Sequence, residues 1–509
     1  MTARTWAVAL TGLNGHMVDV EADLSQQTPG FDLIGLADRA LGEAVRRVHN
    51  ACRNSGLDLP RRKLTVNLSP ASLPKHGSAF DLAIAIAAFG TTGALDEVSL
   101  ARTVHLGELG LDGRLRPIPG VLPALHAARE AGFERAVVPV ANEAEARLVP
   151  GLDVHAAVSL AHVALLHGAD LADLGEPEPV LAAVTPATSG PAPELADVIG
   201  QDEAVAALVA AAAGGHHLLL SGPPGAGKTM LARRLAGILP DLDEELALEA
   251  ASIRSLMGEN LTRLDRRPPF VAPHHSASVA AMIGGGSRAA RPGAIARAHG
   301  GLLFLDEAAE APGGVLDALR QPLEAGMIEI HRAEFTTRFP ARFQLVLATN
   351  PCPCGVFGVV GEECICPPSA IRRYAGRLSG PIRDRLDIEV RVARVSAAQV
   401  STQERGALST LDARGQVEEA RHRAARRWKG TPWRLNAHVP GTWLRQGDFR
   451  LPVEARAPLD RALQRGALTL RGYDRVLRLA WSVADLAGAD APGLDHVGRA
   501  LFLKKGMTA

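Results

Sequence analysis

The segment "HHLLLSGPPGAGKTMLARRLAG" (216–237) leaves a chain little choice of fold. An apolar run enters a glycine-rich loop, and leucine and alanine then recur at helical spacing, so a buried strand turns directly into a helix. The loop residues Gly222, Pro223, Pro224, Gly225, Ala226, Gly227, Lys228 and Thr229 fit G-x-x-x-x-G-K-[ST]. In that pattern the glycines let backbone N–H groups curl around phosphate oxygens. Lys228 reaches toward the β- and γ-phosphates, and Thr229 offers a hydroxyl to Mg2+. The helix N-terminus adds a favourable field for an anion. Between an apolar strand and a helix, the motif predicts an α/β nucleotide-binding core.

Two further strands support this. "GGLLFLDEAAE" (300–310) carries Asp306 and Glu307 to its C-terminal end. Unpaired buried carboxylates are costly, and a Mg2+-bound nucleotide accounts for them. Asp306 would hold the shell of the metal, and Glu307 would orient or deprotonate an attacking water. "FQLVLATNP" (343–351) ends in Asn350, whose amide can hold that water or sense the γ-phosphate. Three apolar strands ending in phosphate-handling residues suit a parallel sheet that gathers a site along one edge.

The 509 residues allow several domains. Residues 1–175 alternate short strands with helical patterns, and 176–193 form a Pro/Ala/Thr-rich linker. The nucleotide core spans 194–395, and Arg-rich helical sequence fills 396–509. Charges balance at 55 basic and 55 acidic residues, so any surface for nucleic acid must be local. No apolar run approaches the roughly 20 residues of a membrane span. The start, "MTARTWAVALTGLNGHMV", has too short an apolar core for a signal peptide. The expected location is the cytoplasm, with no membrane partner.

In this order the motifs resemble those of AAA+ ATPases, with Walker A at 222–229, Walker B at 302–307 and sensor 1 at Asn350. "RPPFVAPHHSASVAAMIGGGSRAARPGAIARAHGGLLFLDE" (267–307), "PLEAGMIEIHRAEFTTRFPARFQLVLATNPCPCG" and "RLSGPIRDRLDIEV" resemble Mg-chelatase-like ATPases of the YifB/ComM type. The resemblance implies ATP and Mg2+ as cofactors and a homo-oligomeric, hexameric ring. It places an arginine finger at Arg385, acting on a neighbour's nucleotide, and sensor 2 at Arg471 in the lid helix of "TLRGYDRVLRLAW". It also makes 326–341 a pore-facing hairpin and "APHHSAS" part of a pore-lining helix-2 insertion. His274 and His275 there suit a structural role better than metal binding.

"KHGSAFDLAIAIAA" and "GELGLDGRLRPIPGVLPALHAA" resemble the α+β, S5-like protease domain of the Lon family. Ser78 falls at the nucleophile and Leu122 at the lysine partner, and no lysine occurs from residue 76 to residue 227. A serine without a base is a poor nucleophile, so the domain is expected to be non-proteolytic. Ser78 reads as a helix N-cap.

Four of the five cysteines, Cys352, Cys354, Cys364 and Cys366, lie between Asn350 and Arg385. Two close pairs suit tetrahedral Zn2+ in a structural clip; free thiols or a redox-sensitive disulfide are the alternatives. Cys52 reads as core packing.

ComM-type relatives drive branch migration on DNA, integrating imported DNA during natural transformation, so a DNA-translocating helicase motor is the first expectation. "EEARHRAARRWKGTPWR" (418–434) offers cations for phosphates and Trp428 and Trp433 for stacking, or is a solvated helix or subunit contact. The alternative is an ATPase chaperone that remodels a protein partner, as the chelatase likeness of the core suggests. ATP-dependent proteolysis lacks its lysine.

Overall fold

The computed structural model describes residues 2–35, 39–171, 177–181, 193–286, 290–331, 336–359, 361–396, 399 and 408–505. Most of the expected linker, 176–193, lies outside them.

The first strands are β1 (Thr2–Thr11), β2 (Asn14–Ser25), β3 (Gly30–Ile34), β4 (Lys63–Ser69) and β5 (Thr103–His105). A small ribbon, β6 (Glu108–Leu109) with β7 (Leu115–Arg116), precedes β8 (Arg135–Pro139) and β9 (Asp153–Ala157). Seven of these form a mixed sheet ordered β3-β4-β2-β1-β5-β8-β9. Strand β2 shows why: Val18, Val20 and Ala22 are fully buried and alternate with Asp19, Glu21 and Asp23, the two-residue period of a half-buried strand. The helix Asp81–Gly90 is buried on every side, as its near-continuous apolar sequence requires.

The second sheet is built from β10 (Leu218–Ser221), β11 (Phe270–Val271), β14 (Leu302–Leu305), β17 (Gln344–Thr349) and β18 (Ile388–Arg391). Two antiparallel ribbons accompany it, β12 (Gly284–Gly285) with β13 (Arg291–Pro292) and β15 (Met327–His331) with β16 (Thr336–Pro340). All five sheet strands run parallel, in the order β11-β14-β17-β10-β18. Strands β14 and β17 are buried along their whole length, which is why they read as unbroken apolar runs.

The C-terminal helices Thr410–Arg427, Val453–Gln464, Leu470–Ala487 and Leu494–Lys505 share one core with this sheet. Leu218, Leu231, Phe304 and Val346 belong to the same buried cluster as Val417, Trp428, Leu479 and Trp481. The helix Glu244–Leu256 ties the two sheets together. Ser255 accepts from Gly120 N at 3.0 Å, and Ala251 and Leu261 sit in the core of the first sheet. The β15–β16 hairpin also meets the first sheet: a Cβ on Gly12, in the β1–β2 turn, would strike the Arg338 carbonyl. No described helix is long and apolar enough to cross a membrane.

Candidate nucleotide site

The phosphate loop leaves the C-terminal end of β10 and enters the helix Lys228–Gly237. Its glycines are required by geometry. A Cβ on Gly222 would collide with the Val392 carbonyl, and Gly225 and Gly227 take positive φ values of 76° and 93°, where side chains are strained. Lys228 is buried, and its Nζ donates to the Gly222 carbonyl at 2.7 Å, the Pro223 carbonyl at 3.0 Å and Asn350 Oδ1 at 2.9 Å. Burial pushes this ammonium below its usual range, and Asp306 and Glu307 work against that.

The acids stand where the strand pattern put them. Thr229 Oγ1 donates to Asp306 Oδ2 at 2.6 Å, so hydroxyl and carboxylate already converge as Mg2+ ligands would. Glu307 takes a left-handed backbone, φ 49°, a conformation that costs on the order of 1–3 kcal/mol and clusters at functional sites. Its Oε2 lies 3.2 Å from His275 Nδ1, a contact that the reading of His275 as structural did not anticipate. The cradle, the converging hydroxyl–carboxylate pair and a lysine beside the loop carbonyls fit a Mg2+–nucleoside triphosphate.

Comparison with known proteins agrees. A magnesium chelatase subunit ChlI profile matches residues 194–400, its C-terminal counterpart 407–504, and a further ChlI profile 20–142. The competence protein ComM of Haemophilus influenzae is 39% identical over 502 residues, 98% of this chain and 96% of that protein. The chain belongs to the YifB/ComM group of magnesium-chelatase-like AAA+ ATPases. An uncharacterized protein of Mycobacterium tuberculosis is 47% identical over 507 residues, 99% of this chain and 98% of that protein. The magnesium-chelatase 38 kDa subunit of Rhodobacter capsulatus is 28% identical over 302 residues, 55% of this chain and 76% of that subunit.

In this YifB/ComM-type ATPase the two expected arginines lie together, and away from the phosphate loop. Arg385 and Arg471 line a cavity of about 210 Å3 with Glu324, Arg475 and Arg478. Arg385 donates to the Pro381 carbonyl at 2.7 Å and pairs with Glu324. That cavity also includes His217, which directly precedes β10, whereas the loop follows its other end. The network beside it was invisible in sequence: Arg475 pairs with Asp387 at 2.6 Å, next to His216. Burial works to raise the Asp387 carboxyl, but Arg475, His216 and His217 outweigh it and hold it well below the usual range.

The four cysteines converge. Their Sγ atoms all lie within 4.8 Å of one another, with Cys352 3.3 Å from Cys354 and 3.7 Å from Cys364. Ligands at about 2.3 Å in a Zn–S4 tetrahedron would be separated by about 3.8 Å, so the set fits one metal ion. The thiols are free of disulfides. The loop also rests on the phosphate cradle: a Cβ on Gly355 would come 2.5 Å from Pro224 Cδ, and Arg394 pairs with Glu362 while donating to the Pro224 carbonyl at 3.3 Å. Cys52 is fully buried, and burial pushes its thiol up to about 12, as a packing residue requires.

Two expectations are corrected. Trp428 is 1% exposed, its Nε1 donating to Asn436 Oδ1 at 2.9 Å, and Trp433 packs edge-on to Trp443. Trp428 presents no free stacking face, because the helical domain uses it as core, and Trp433 is half-buried against that core. Arg427 pairs with Asp485 and Arg421 donates to the Ala212 carbonyl at 2.7 Å, leaving His422, Arg426 and Lys429 exposed around one hollow that Glu419 also lines. Ser78 is no N-cap: the helix begins at Asp81 behind Phe80, without a side-chain cap, and the Ser78 hydroxyl donates to Glu108. The neighbouring Lys75 is fully buried, donating to the carbonyls of Gly35, Pro70 and Leu73 at 3.0, 2.6 and 3.1 Å. Leu122, at the lysine position of the Lon pattern, is buried in the helix Val121–Glu130.

Proposed function

We propose that this ATPase is a hexameric ring motor on DNA, working in the cytoplasm and driving branch migration of recombination intermediates. Within each protomer Lys228 holds the β- and γ-phosphates, Thr229 and Asp306 hold Mg2+, Glu307 acts as base for the lytic water, and Asn350 orients it. Arg385 and Arg471 serve the nucleotide of the adjacent copy. The observation that carries this is their place beside His217, across the sheet from the cradle. A finger that cannot serve its own phosphate loop makes sense where a second copy presents one.

DNA as client is supported by the full-length likeness to a competence protein and by the exposed cations Arg426 and Lys429. The non-proteolytic amino-terminal domain (1–175) is a platform joined to the 194–395 core, and 396–509 is the lid. Zn2+ held by the four cysteines braces the loop on Pro224.

The deciding experiment measures ATP turnover with and without forked DNA at low and high salt. Stimulation that fades with salt is expected, because neutralised phosphates release counterions. DNA that neither binds nor stimulates would favour the second reading, a chaperone of a protein partner. That reading draws on the chelatase subunit, which is similar over only 55% of this chain, and a shared core does not transfer chemistry.

A further inference from the structure

We infer that the cysteine loop of one copy is a docking knuckle for the helical lid of the next, so that successive copies are joined through it. The inference rests on the ring reading, in which Arg471 serves the cradle of an adjacent copy.

The loop presents apolar side chains that its own chain does not cover. Phe357 is 51% exposed, and Ile365 is 84% exposed, more than any other large apolar side chain among the described residues. Single exposed apolar residues are common on any protein. These two differ because one small cluster holds them both. Phe357 N donates to Cys352 Sγ at 3.3 Å, and Ile365 lies between Cys364 and Cys366, whose Sγ atoms fall within 4.8 Å of that same sulfur. Arg394 steadies the base of the loop, pairing with Glu362 and donating to the Pro224 carbonyl. A tip held in this way loses little freedom when a partner binds it.

Charge selects the occupant. From residue 343 to residue 371 the chain has no lysine, arginine or histidine. Glu363, two residues before Ile365, is exposed and has no ion-pair partner among the described residues. The knuckle is therefore apolar and acidic, which repels a nucleic-acid backbone and suits a surface that is apolar and basic. The lid carries one. Residues 461–473, "RALQRGALTLRGY", join the helices Val453–Gln464 and Leu470–Ala487 with three arginines and no aspartate or glutamate. Arg461, Arg465 and Arg471 are exposed there, and Leu470 is 51% exposed.

Within one chain the two surfaces face different ends of β10. The knuckle leans on Pro224, beyond the last residue of that strand, whereas Arg471 shares its cavity with His217, just before the first. Complementary surfaces at opposite ends of one unit join copy to copy, and such a contact closes into a ring when the rotation between copies allows. Leu470 seated on Phe357 and Ile365 also brings the next residue, Arg471, to the cradle on which the knuckle leans. Glu363 is then placed to meet Arg465.

The test follows assembly of the full-length protein by sedimentation velocity, with a non-hydrolysable ATP analogue and no DNA, over a range of protein concentrations. Glu363→Arg and Arg465→Glu each set like charges against one another in every seam, and each is expected to raise the concentration for half assembly about tenfold at unchanged Tm. Carried on one chain, the two changes should bring it back to within about threefold of wild type. Ile365→Ser, which removes apolar area alone, should weaken assembly several-fold. Single reversals that assemble like wild type, or a double variant no better than the singles, overturn the inference. So does a Glu363→Arg protein that assembles normally but binds single-stranded DNA more tightly, since nucleic acid is then the occupant. If a mixture of Arg385→Ala and Lys228→Ala recovers turnover while the reversals change nothing, the ring stands and only the knuckle fails. Wild type that stays monomeric with the analogue overturns ring and knuckle together.

Discussion

Lys228 and Arg385 stand at opposite ends of two adjacent parallel strands, β10 and β18. Lys228 opens the helix beyond the C-terminal end of β10, and Arg385 comes just before β18, whose first residue, Ile388, is in register with Leu218, the first of β10. Four strand residues at about 3.3 Å each put the ends on the order of 13 Å apart. The cradle and the proposed finger of one chain are thus separated by the sheet that joins them. Arg385→Ala should bind ATP nearly normally and lose roughly 10³-fold or more in turnover. Mixing it with Lys228→Ala should recover activity, since a seam can then pair one intact cradle with one intact finger. Full-speed turnover by a strictly monomeric preparation would contradict this.

Within the cradle, substitutions should separate binding from chemistry. Lys228→Ala removes the cation and should abolish nucleotide binding or turnover. Glu307→Gln keeps size and polarity but not basicity, so it should bind ATP and hydrolyse it at least about 10²-fold more slowly. Fluorescent-nucleotide titration beside phosphate release tells the two apart.

The cysteine cluster should carry about one equivalent of zinc by elemental analysis. Because Gly355 packs against Pro224, removing the metal with a chelator, or Cys354→Ser, should weaken ATP affinity several-fold while leaving Lys228 and Thr229 in place. Protein with under a few tenths of an equivalent of metal and four readily alkylated thiols would reject the clip.

Trp428 and its neighbours should divide by burial. Trp428→Ala is expected to cost about 3–5 kcal/mol of stability, seen as a lower Tm. The double change Arg426→Ala with Lys429→Ala should leave Tm nearly unchanged and reduce DNA affinity, with a shallower salt dependence.

Acid should loosen the amino-terminal domain through a buried histidine pair. His105 and His167 meet Nε2 to Nε2 at 2.9 Å, with Thr5 and Ser99 on their outer nitrogens. Burial holds His105 well below the usual imidazole range, aided by His167, and pushes His167 down to about 4, aided by Arg135. An unfolded histidine titrates near 6.5, so the unfolded chain binds more protons between those values. The stabilisation is complete above about pH 6.5 and is lost as pH falls toward 4, on the order of 1–3 kcal/mol. Tm should fall between pH 7.5 and pH 5, and a His105→Asn, His167→Gln double variant should flatten that slope.

Much of the nucleotide site was legible because its signals are local. Gly222, Gly225 and Gly227 are dictated by backbone geometry within one loop, and Asp306, Glu307 and Asn350 follow directly from apolar strands. The cysteine cluster was legible for the same reason: four thiols in one short segment have little choice but to meet. Stacking by Trp428 was misjudged because an aromatic residue among arginines looks the same whether the helix face beneath it is solvent or core. Ser78 was misjudged because a cap depends on where the helix starts, and an apolar run does not mark its own first turn.

The amino-acid order by itself determined the phosphate cradle, its acids and the family, since each depends on residues a few positions apart along the chain. Only the tertiary structure decided that Arg385 and Arg471 share a cavity across the sheet from Lys228, that Gly355 leans on Pro224, and that His275 reaches Glu307. Those pairings are set by the order and direction of strands within the sheet and by the packing of its loops, which are cooperative properties of the whole core.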